Sequence, residues 1–481
     1  MGRRVVPGII VTLLGSVLIM SAACAAPAAG PLRVSPDNPR YFADPEGNIV
    51  YLTGSHTWSN LKDMGATDPP PVFDYAGYLQ MLGRYHHNFI RLWHWELTRY
   101  AYEGKTTYCQ PFPWPRTGPG EALDGKPKFD LSRLDQSYFD RLRQRVVQAG
   151  DLGIYVSIML FEGHGLHASD PPWCWDGHPM NAANNINGID GDPDGDGRGI
   201  ETQSLIIPQV TAIQEAYVRK VVDTVTDLDN VLYEVVNESG AYSTPWQYHL
   251  INLIHEYEAG KPKQHPVGMT FQYHRKAAHK GTNQTLFDSP ADWISPNPEG
   301  GYSDDPPAAD GSKVILSDTD HLWGIGGNAP WVWKSFCCGV NPLFMDPCSP
   351  PIEADGTAGG TWTDHLTGLS RLDPKWDPVR QAMGQTLRLA ERLDLRRTVP
   401  HGELASSGYC LADPGRTYVV YVPGGGEVTV DLSAAAGQVH VEWLPPLQGD
   451  GVARVAMPGG DKRTLQAPFE GDAVLYLRVA P

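Results

Sequence analysis

From residue 31 onward, short apolar runs alternate with longer stretches whose apolar residues recur at helical spacing. The apolar runs are Ile49–Gly54 (IVYLTG), Asn88–Trp93 (NFIRLW), Ile154–Leu160 (IYVSIML), Val231–Val236 (VLYEVV), Pro266–Phe271 (PVGMTF), Asp292–Ser295 (DWIS), Lys313–Ser317 (KVILS) and Val340–Met345 (VNPLFM). Most are β-branched and nearly continuous in apolar character, as strands buried on both faces of a parallel sheet must be. Phe73–Tyr85, Ser137–Leu152, Gln209–Val225 and Trp246–Tyr257 read as amphipathic helices between them. In Ser137–Leu152 the stripe is Phe139, Leu142 and Val146, and Gly153 stops the helix. Eight alternations of strand and helix predict an α/β fold, a (β/α)8 TIM barrel. An open doubly wound sheet would carry a glycine-rich nucleotide loop after its first strand. Here GSHTWSN occupies that place. The segment RYFADPEGNIVYL reads as a hairpin capping the bottom of the barrel.

The pattern changes near residue 400. TYVVYV, EVTVDL, HVEWL and AVLYLRV alternate in polarity and are separated by turn clusters such as PGGG and MPGGDK. They predict a small C-terminal antiparallel β-sandwich. The expected organisation is a barrel over residues 31–400 and a sandwich over 401–481.

The first 26 residues have a different character. Arg3 and Arg4 precede an apolar core over Ile9–Met20, and small residues follow at Ser21–Ala26. This is the layout of a secretory signal peptide, too short for a membrane anchor. The sequence around Cys24 (SAAC) loosely resembles a bacterial lipobox, so Cys24 is a candidate lipid anchor. No other segment is long and apolar enough to span a bilayer. The expected location is therefore secreted or attached to a bacterial cell envelope. The six cysteines left after Cys24 (109, 174, 337, 338, 348 and 410) could form up to three disulfides in that setting.

Composition narrows the partners. The 481-residue chain carries a net charge of −17, which argues against nucleic acid or an anionic membrane surface. Fourteen Trp and 21 Tyr argue against disorder.

Barrel enzymes place their chemistry at the C-terminal ends of the strands. In this chain those ends carry His56, then Arg91, His94, Trp95 and Glu96, then Glu162, His164 and His167, then Asn237 and Glu238. Strand five is followed by Gln272, Tyr273 and His274, strand six by Asn297, strand seven by Asp318, Asp320, His321 and Trp323, and strand eight by Asp346. Carboxylates beside tryptophans suit glycoside hydrolysis. One carboxyl protonates the departing oxygen, a second attacks the anomeric carbon or activates water, and aromatic faces stack on sugars.

VLYEVVNES resembles the strand-four signature of the large clan of retaining (β/α)8 glycoside hydrolases that includes cellulases. The resemblance implies that Glu238 is the general acid/base and that Asn237 binds the substrate 2-hydroxyl. NFIRLWHWE resembles the clan's strand two, which makes Arg91 the support for the nucleophile. The SHTW stretch and the C-terminal sandwich resemble cellulase-like, apiosidase-like proteins, which often carry a module named for collagen binding. Strand seven departs from the pattern: the clan has Glu where KVILSDTDHLWG has Asp318, with Asp320 two residues on. Aspartate is a methylene shorter, which leaves three readings. Asp318 is the nucleophile on a closer backbone, or water fits between the carboxyls and the reaction inverts, or Asp320 is the partner. The first is the expectation. His56, His94, Trp95, Glu162, His321 and Trp323 are the remaining candidates for substrate contact, with core packing as the plain alternative for the histidines and tryptophans.

Residues 190–201 (DGDPDGDGRGIE) fit D-x-D-x-D-G-x5-E in full. Asp190, Asp192, Asp194, Asp196 and Glu201 are therefore candidate ligands for a structural Ca²⁺, since hard oxygen donors suit that ion. EF-hand flanking helices are missing, so an isolated loop site is expected. No cofactor is expected for the chemistry itself. The reading is a secreted hydrolase of O-glycosidic bonds acting on carbohydrate. Its rivals are a non-catalytic glycan- or matrix-binding protein on a barrel, and a metal-dependent hydrolase built on His56, His94, His164, His321 and Asp318.

Overall fold

The computed structural model describes residues 26–102, 105–168, 174–348, 372–449 and 451–480. The leader expected over residues 1–26, Cys24 included, lies outside them except for Ala26. Among the described residues no helix is long and apolar enough to cross a membrane.

Eight parallel strands form a nearly closed barrel. They are β1 (Gly54–His56), β2 (Phe89–Leu92), β3 (Tyr155–Glu162), β4 (Val231–Asn237), β5 (Val267–Thr270), β6 (Trp293–Ser295), β7 (Val314–Asp318) and β8 (Asn341–Met345). Hydrogen bonding runs in sequence from β2 to β8 and then to β1. At the remaining seam, just before β1 and β2, the Asn88 backbone N–H donates to the Thr53 carbonyl at 3.0 Å. A Cβ on Gly54 would fall 2.1 Å from the Phe89 carbonyl oxygen, so glycine is what lets these strands approach.

The outer helices are α1 (Tyr75–Tyr85), α2 (Gln136–Gly150), α3 (Pro208–Val225), α4 (Thr244–Glu258), the short α5 (Asn283–Phe287) and α6 (Thr319–Trp323), then α7 (Ala329–Cys337) and α8 (Asp377–Ala390). Asp74 and Asp135 cap α1 and α2, accepting bonds from the backbone N–H of Gly77 and Ser137. The stripe Phe139, Leu142 and Val146 on α2 is fully buried.

Three expectations need correction. The first barrel strand is Gly54–His56, whereas Ile49–Val50 pairs with Phe42–Ala43 in a small antiparallel sheet. The apolar run drew attention to the hairpin, while the true strand holds buried polar residues, Ser55 and His56, that serve the barrel interior. Strand–helix alternation also lapses once, because β6 and β7 are joined through a 3-10 turn at Glu299–Gly301. The six cysteines from Cys109 to Cys410 are all buried and none is bridged to another, so none of the anticipated disulfides forms among them.

The C-terminal strands are β9 (Cys410–Asp413), β10 (Thr417–Val422), β11 (Gly425–Asp431), β12 (Gln438–Leu444), β13 (Val452–Pro458), β14 (Lys462–Glu470) and β15 (Ala473–Val479). One antiparallel sheet runs Val399–Pro400, β9, β10, β15, β12, β13; the other pairs β11 with β14. Val420, Val430, Val441 and Leu475 fill the space between them. The outer face of the larger sheet, with Leu411, Val419, Tyr421 and Val474, joins the barrel's own apolar core. Trp333 on α7 anchors this contact: its indole N–H donates to the Pro446 carbonyl at 3.2 Å and its ring stacks on Tyr421.

Trp333→Ala should therefore cost about 3–5 kcal/mol and lower the melting temperature measured by calorimetry. A change too small to resolve would show that the two parts are coupled elsewhere.

Candidate active site

The C-terminal rim of the barrel is organised around one cation. Arg91 on β2 is fully buried. Its Nε and Nη2 donate to Glu234 on β4 at 2.8 and 2.5 Å. Nη1 donates to Asp318 at the end of β7 at 2.8 Å and reaches Asp320 at 3.5 Å. Nη2 also donates to the side-chain oxygen of Asn237 at 2.7 Å. A guanidinium can serve this many acceptors because its donors are held in a fixed planar fork. It sits over the Trp93 ring as well, 5.0 Å from the centroid.

Two neutral histidines extend the network. The Trp93 indole N–H donates to His56 Nδ1 at 2.9 Å, so the proton of His56 lies on Nε2, 2.7 Å from Asp318 Oδ2. Burial lowers the His56 pKa despite Asp318 opposite. His321 Nε2 donates to Asn237 Oδ1 at 3.1 Å, while its Nδ1 bonds the Ser295 hydroxyl at 2.7 Å. Burial, then Arg91, lowers the His321 pKa to about 3. Both contacts to Asn237 use its oxygen, which leaves the amide NH2 end for a ligand.

The two strand-seven aspartates differ in kind. Asp318 has no exposed surface, and its Oδ1 also accepts from the Asp320 backbone N–H at 2.9 Å. Burial would raise its pKa, but His56 and Arg91 prevail and hold it well below the usual carboxylate range. Asp320 keeps 10% of its side chain exposed. Burial, with Asp318 adding to it against Arg91, raises its pKa to about 7.

Glu238 follows β4 directly and takes the left-handed conformation, φ 50°, which is strained for glutamate. The turn is held by His167, whose Nε2 donates to the Glu238 backbone carbonyl at 2.8 Å. The Glu238 carboxyl keeps 13% of its side chain exposed and lies 3.9 Å from His164 Nε2. Burial raises its pKa well above the ordinary value, and Asp320 and Glu162 add to the shift. Glu162 ends β3 and accepts from the Gly165 backbone N–H; burial raises it to about 8. Burial, with Arg91 as the buried cation these acids share, is why the open carboxyls are shifted upward.

The structure thus brings Glu238, Asp318, Asp320, Asn237, Arg91, His56, His321 and Glu162 to one end of the barrel. Trp323 stands on the same rim, 37% exposed and edge-on to Trp331. Two candidates are not there. His94 bonds the Tyr138 hydroxyl at 2.6 Å and packs on Tyr217, so it belongs to the layer between β2 and helices α2 and α3. Trp95 is 3% exposed, donates to the Trp58 carbonyl and is packed between Trp93 and Tyr100. Both fill space that the sequence could not assign to a side of the strand. Glu234 was missed, although a carboxylate inside an otherwise apolar strand must find a buried partner. Tyr100 was also missed: its hydroxyl bonds His164 Nδ1 at 2.6 Å, and His164 stacks on Tyr273.

In the acidic loop between β3 and α3, carboxylate oxygens of Asp192, Asp194 and Glu201 lie within 4.8 Å of one another. Asp192 Oδ1 and Glu201 Oε2 are buried and have no hydrogen-bond partner among the described residues. Burial and the neighbouring acids raise both pKa values. The carboxylates of Asp190 and Asp196 do not join this cluster; they accept from the backbone N–H of Asp192 and Arg198 instead.

Arg91→Met should strand three carboxylates and destabilise the fold by about 3–5 kcal/mol at neutral pH. The deficit should shrink toward about pH 4, where carboxyls take up protons. Urea unfolding at two pH values checks both statements.

Comparison with known proteins agrees with this architecture. Residues 99–276 match the family described as a domain of unknown function (DUF6298). No curated protein matches. Among solved structures, one described as a glycoside hydrolase is similar over 94% of this chain and 97% of its own, with TM-score 0.59 and 14% identity. A glycoside hydrolase family 5 protein from Bacteroides vulgatus is similar over 94% of this chain and 95% of its own, with TM-score 0.60 and 13% identity. The chain has the (β/α)8 fold of these glycoside hydrolases.

Proposed function

We propose that this protein hydrolyses O-glycosidic bonds of an oligo- or polysaccharide, with Glu238 as general acid/base. The observation that carries this reading is the state of Glu238: a carboxyl at the end of β4, held in a strained backbone turn, partly open and kept protonated by burial and two acidic neighbours. Such a group can donate a proton to a departing sugar oxygen near neutral pH.

For the second carboxylate we assign Asp320. Asp318 is sealed off and engaged by Arg91, His56 and the Asp320 N–H, so it acts by holding Arg91 and the start of α6. Asp320 is the strand-seven carboxylate with open surface, and among charged neighbours it acts most strongly on Glu238. A double displacement through Asp320, with retention, follows from the clan resemblance. Asn237 would grip a sugar hydroxyl through its free NH2 end, and Trp323 would offer an apolar face. A metal-dependent hydrolase built on the histidines fits poorly, because His94 is on the helix side and His56 and His321 have both ring nitrogens engaged. The leader pattern supports a secreted or envelope-bound bacterial protein.

Glu238→Gln should lower kcat by roughly 10²–10⁴-fold with folding intact; turnover like that of the unaltered protein would remove the assignment. The pH profile of kcat/KM separates the aspartates. Asp320 must lose its proton to attack, so activity should rise through about pH 7 and fall again as Glu238 ionises. Were Asp318 the partner, it would already be ionised throughout, and no rising limb would stand above about pH 4.

We also propose that Asp192, Asp194 and Glu201 bind Ca²⁺, for which the two orphaned buried oxygens are the support. Millimolar CaCl2 after chelation should raise the melting temperature, and Asp192→Asn with Glu201→Gln should abolish the rise. Equal melting with and without Ca²⁺ would refute the site.

A further inference from the structure

The rim beside Glu238 carries a charge pattern at odds with the rest of the chain. Residues 259–287 contain no Asp or Glu, although the protein has 55 of them. Two lysines of this stretch, Lys261 and Lys263, are paired with Asp223 and Asp229 before β5 begins. The other cations, Arg275, Lys276 and Lys280, lie past the end of β5 in a loop whose residues 275–280 are all exposed. Among the described residues, no carboxylate comes within 4.0 Å of Lys276 or Lys280.

This loop abuts the segment carrying Glu238. A Cβ on Gly240 would sit 3.2 Å from the His279 carbonyl oxygen, and the Gly281 N–H bonds the Gln272 carbonyl at 2.9 Å, folding the loop back onto β5. The Lys280 ammonium lies over Tyr273, 4.8 Å from the ring centroid. Tyr273 stacks on His164, whose Nε2 is 3.9 Å from the Glu238 carboxyl. An aromatic face topped by an ammonium thus adjoins the proposed proton donor.

We propose that this rim recognises an anionic substituent, carboxylate or sulfate, on the leaving-group side of the glycan. The choice of side rests on the function proposed above, since the general acid stands where the leaving oxygen departs. The same physics favours a neutral cleaved sugar: among the described residues Arg91 is the cation beneath it and is saturated by Glu234, Asp318 and Asp320, so an anion there would meet carboxyls with no spare positive charge. Lys276 and Lys280 supply exposed counter-charges, so their contribution is sensitive to salt.

The test measures binding to intact Glu238→Gln protein, in which turnover is expected to be slow enough for equilibrium binding to be read. The probes are an oligogalacturonate, a sulfated dextran oligosaccharide and a neutral cello-oligosaccharide of equal length, in 20 and 500 mM NaCl. At low salt at least one anionic probe should bind roughly tenfold or more tighter than the neutral one, and high salt should erase most of the difference. Which anionic probe binds tells carboxylate from sulfate. Lys276→Glu with Lys280→Glu should abolish the preference, while Arg84→Glu, an exposed charge on α1, should not. Equal affinity for neutral and anionic probes, no binding of any probe, or a double variant without effect would overturn the proposal. The two readings fail separately. Undiminished turnover in Glu238→Gln would sink the hydrolytic assignment and leave the anion preference standing, whereas the reverse pattern would sink only the preference.

Discussion

One guanidinium holds the C-terminal end of this barrel together. Arg91 reaches β4 through Glu234 and Asn237, and β7 through Asp318, tying three strands across the barrel interior. A buried ion pair is weak evidence of stability in itself, since desolvation offsets the attraction. Its value here is geometric. The acceptors of Arg91 lie on β4, at the end of β7 and in the first turn of α6, and the groups left open, Asp320 and Glu238, follow closely on the two strands it ties. Burial, with the neighbouring acids adding to it, then shifts both upward.

The second layer of control is in the histidines. Trp93 fixes the tautomer of His56, and His56 in turn faces Asp318, so an indole just past β2 decides what a carboxylate on β7 sees. His321 does the same for Asn237 from the other side. These rings stay neutral because burial outweighs the nearby anions. They add hydrogen-bond direction without adding charge.

Much of this was legible in the sequence, and for identifiable reasons. Seven of the eight barrel strands are continuous apolar runs, a signal that survives without any alignment. That Glu238, Asn237 and Arg91 meet at one end was readable because the C-terminal ends of parallel barrel strands all open on the same side. The first strand was not, since its residues are polar and serve the interior. His94 and Trp95 were misplaced because sequence position next to a strand end does not tell which face a side chain takes. The difference between Asp318 and Asp320 was invisible too. It depends on a helix beginning at residue 319, which buries one carboxylate as its cap and lifts the other toward the opening.

The left-handed turn at Glu238 carries a consequence for how this scaffold can change. Asparagine and glycine enter that conformation more readily than glutamate does. Replacement by either would relax the chain locally while removing the carboxyl, with the aromatic and charged surroundings untouched. A single replacement at residue 238 would thus be favoured by the local chain and opposed only by whatever the carboxyl itself does, and the glutamate stands there against the preference of its own backbone.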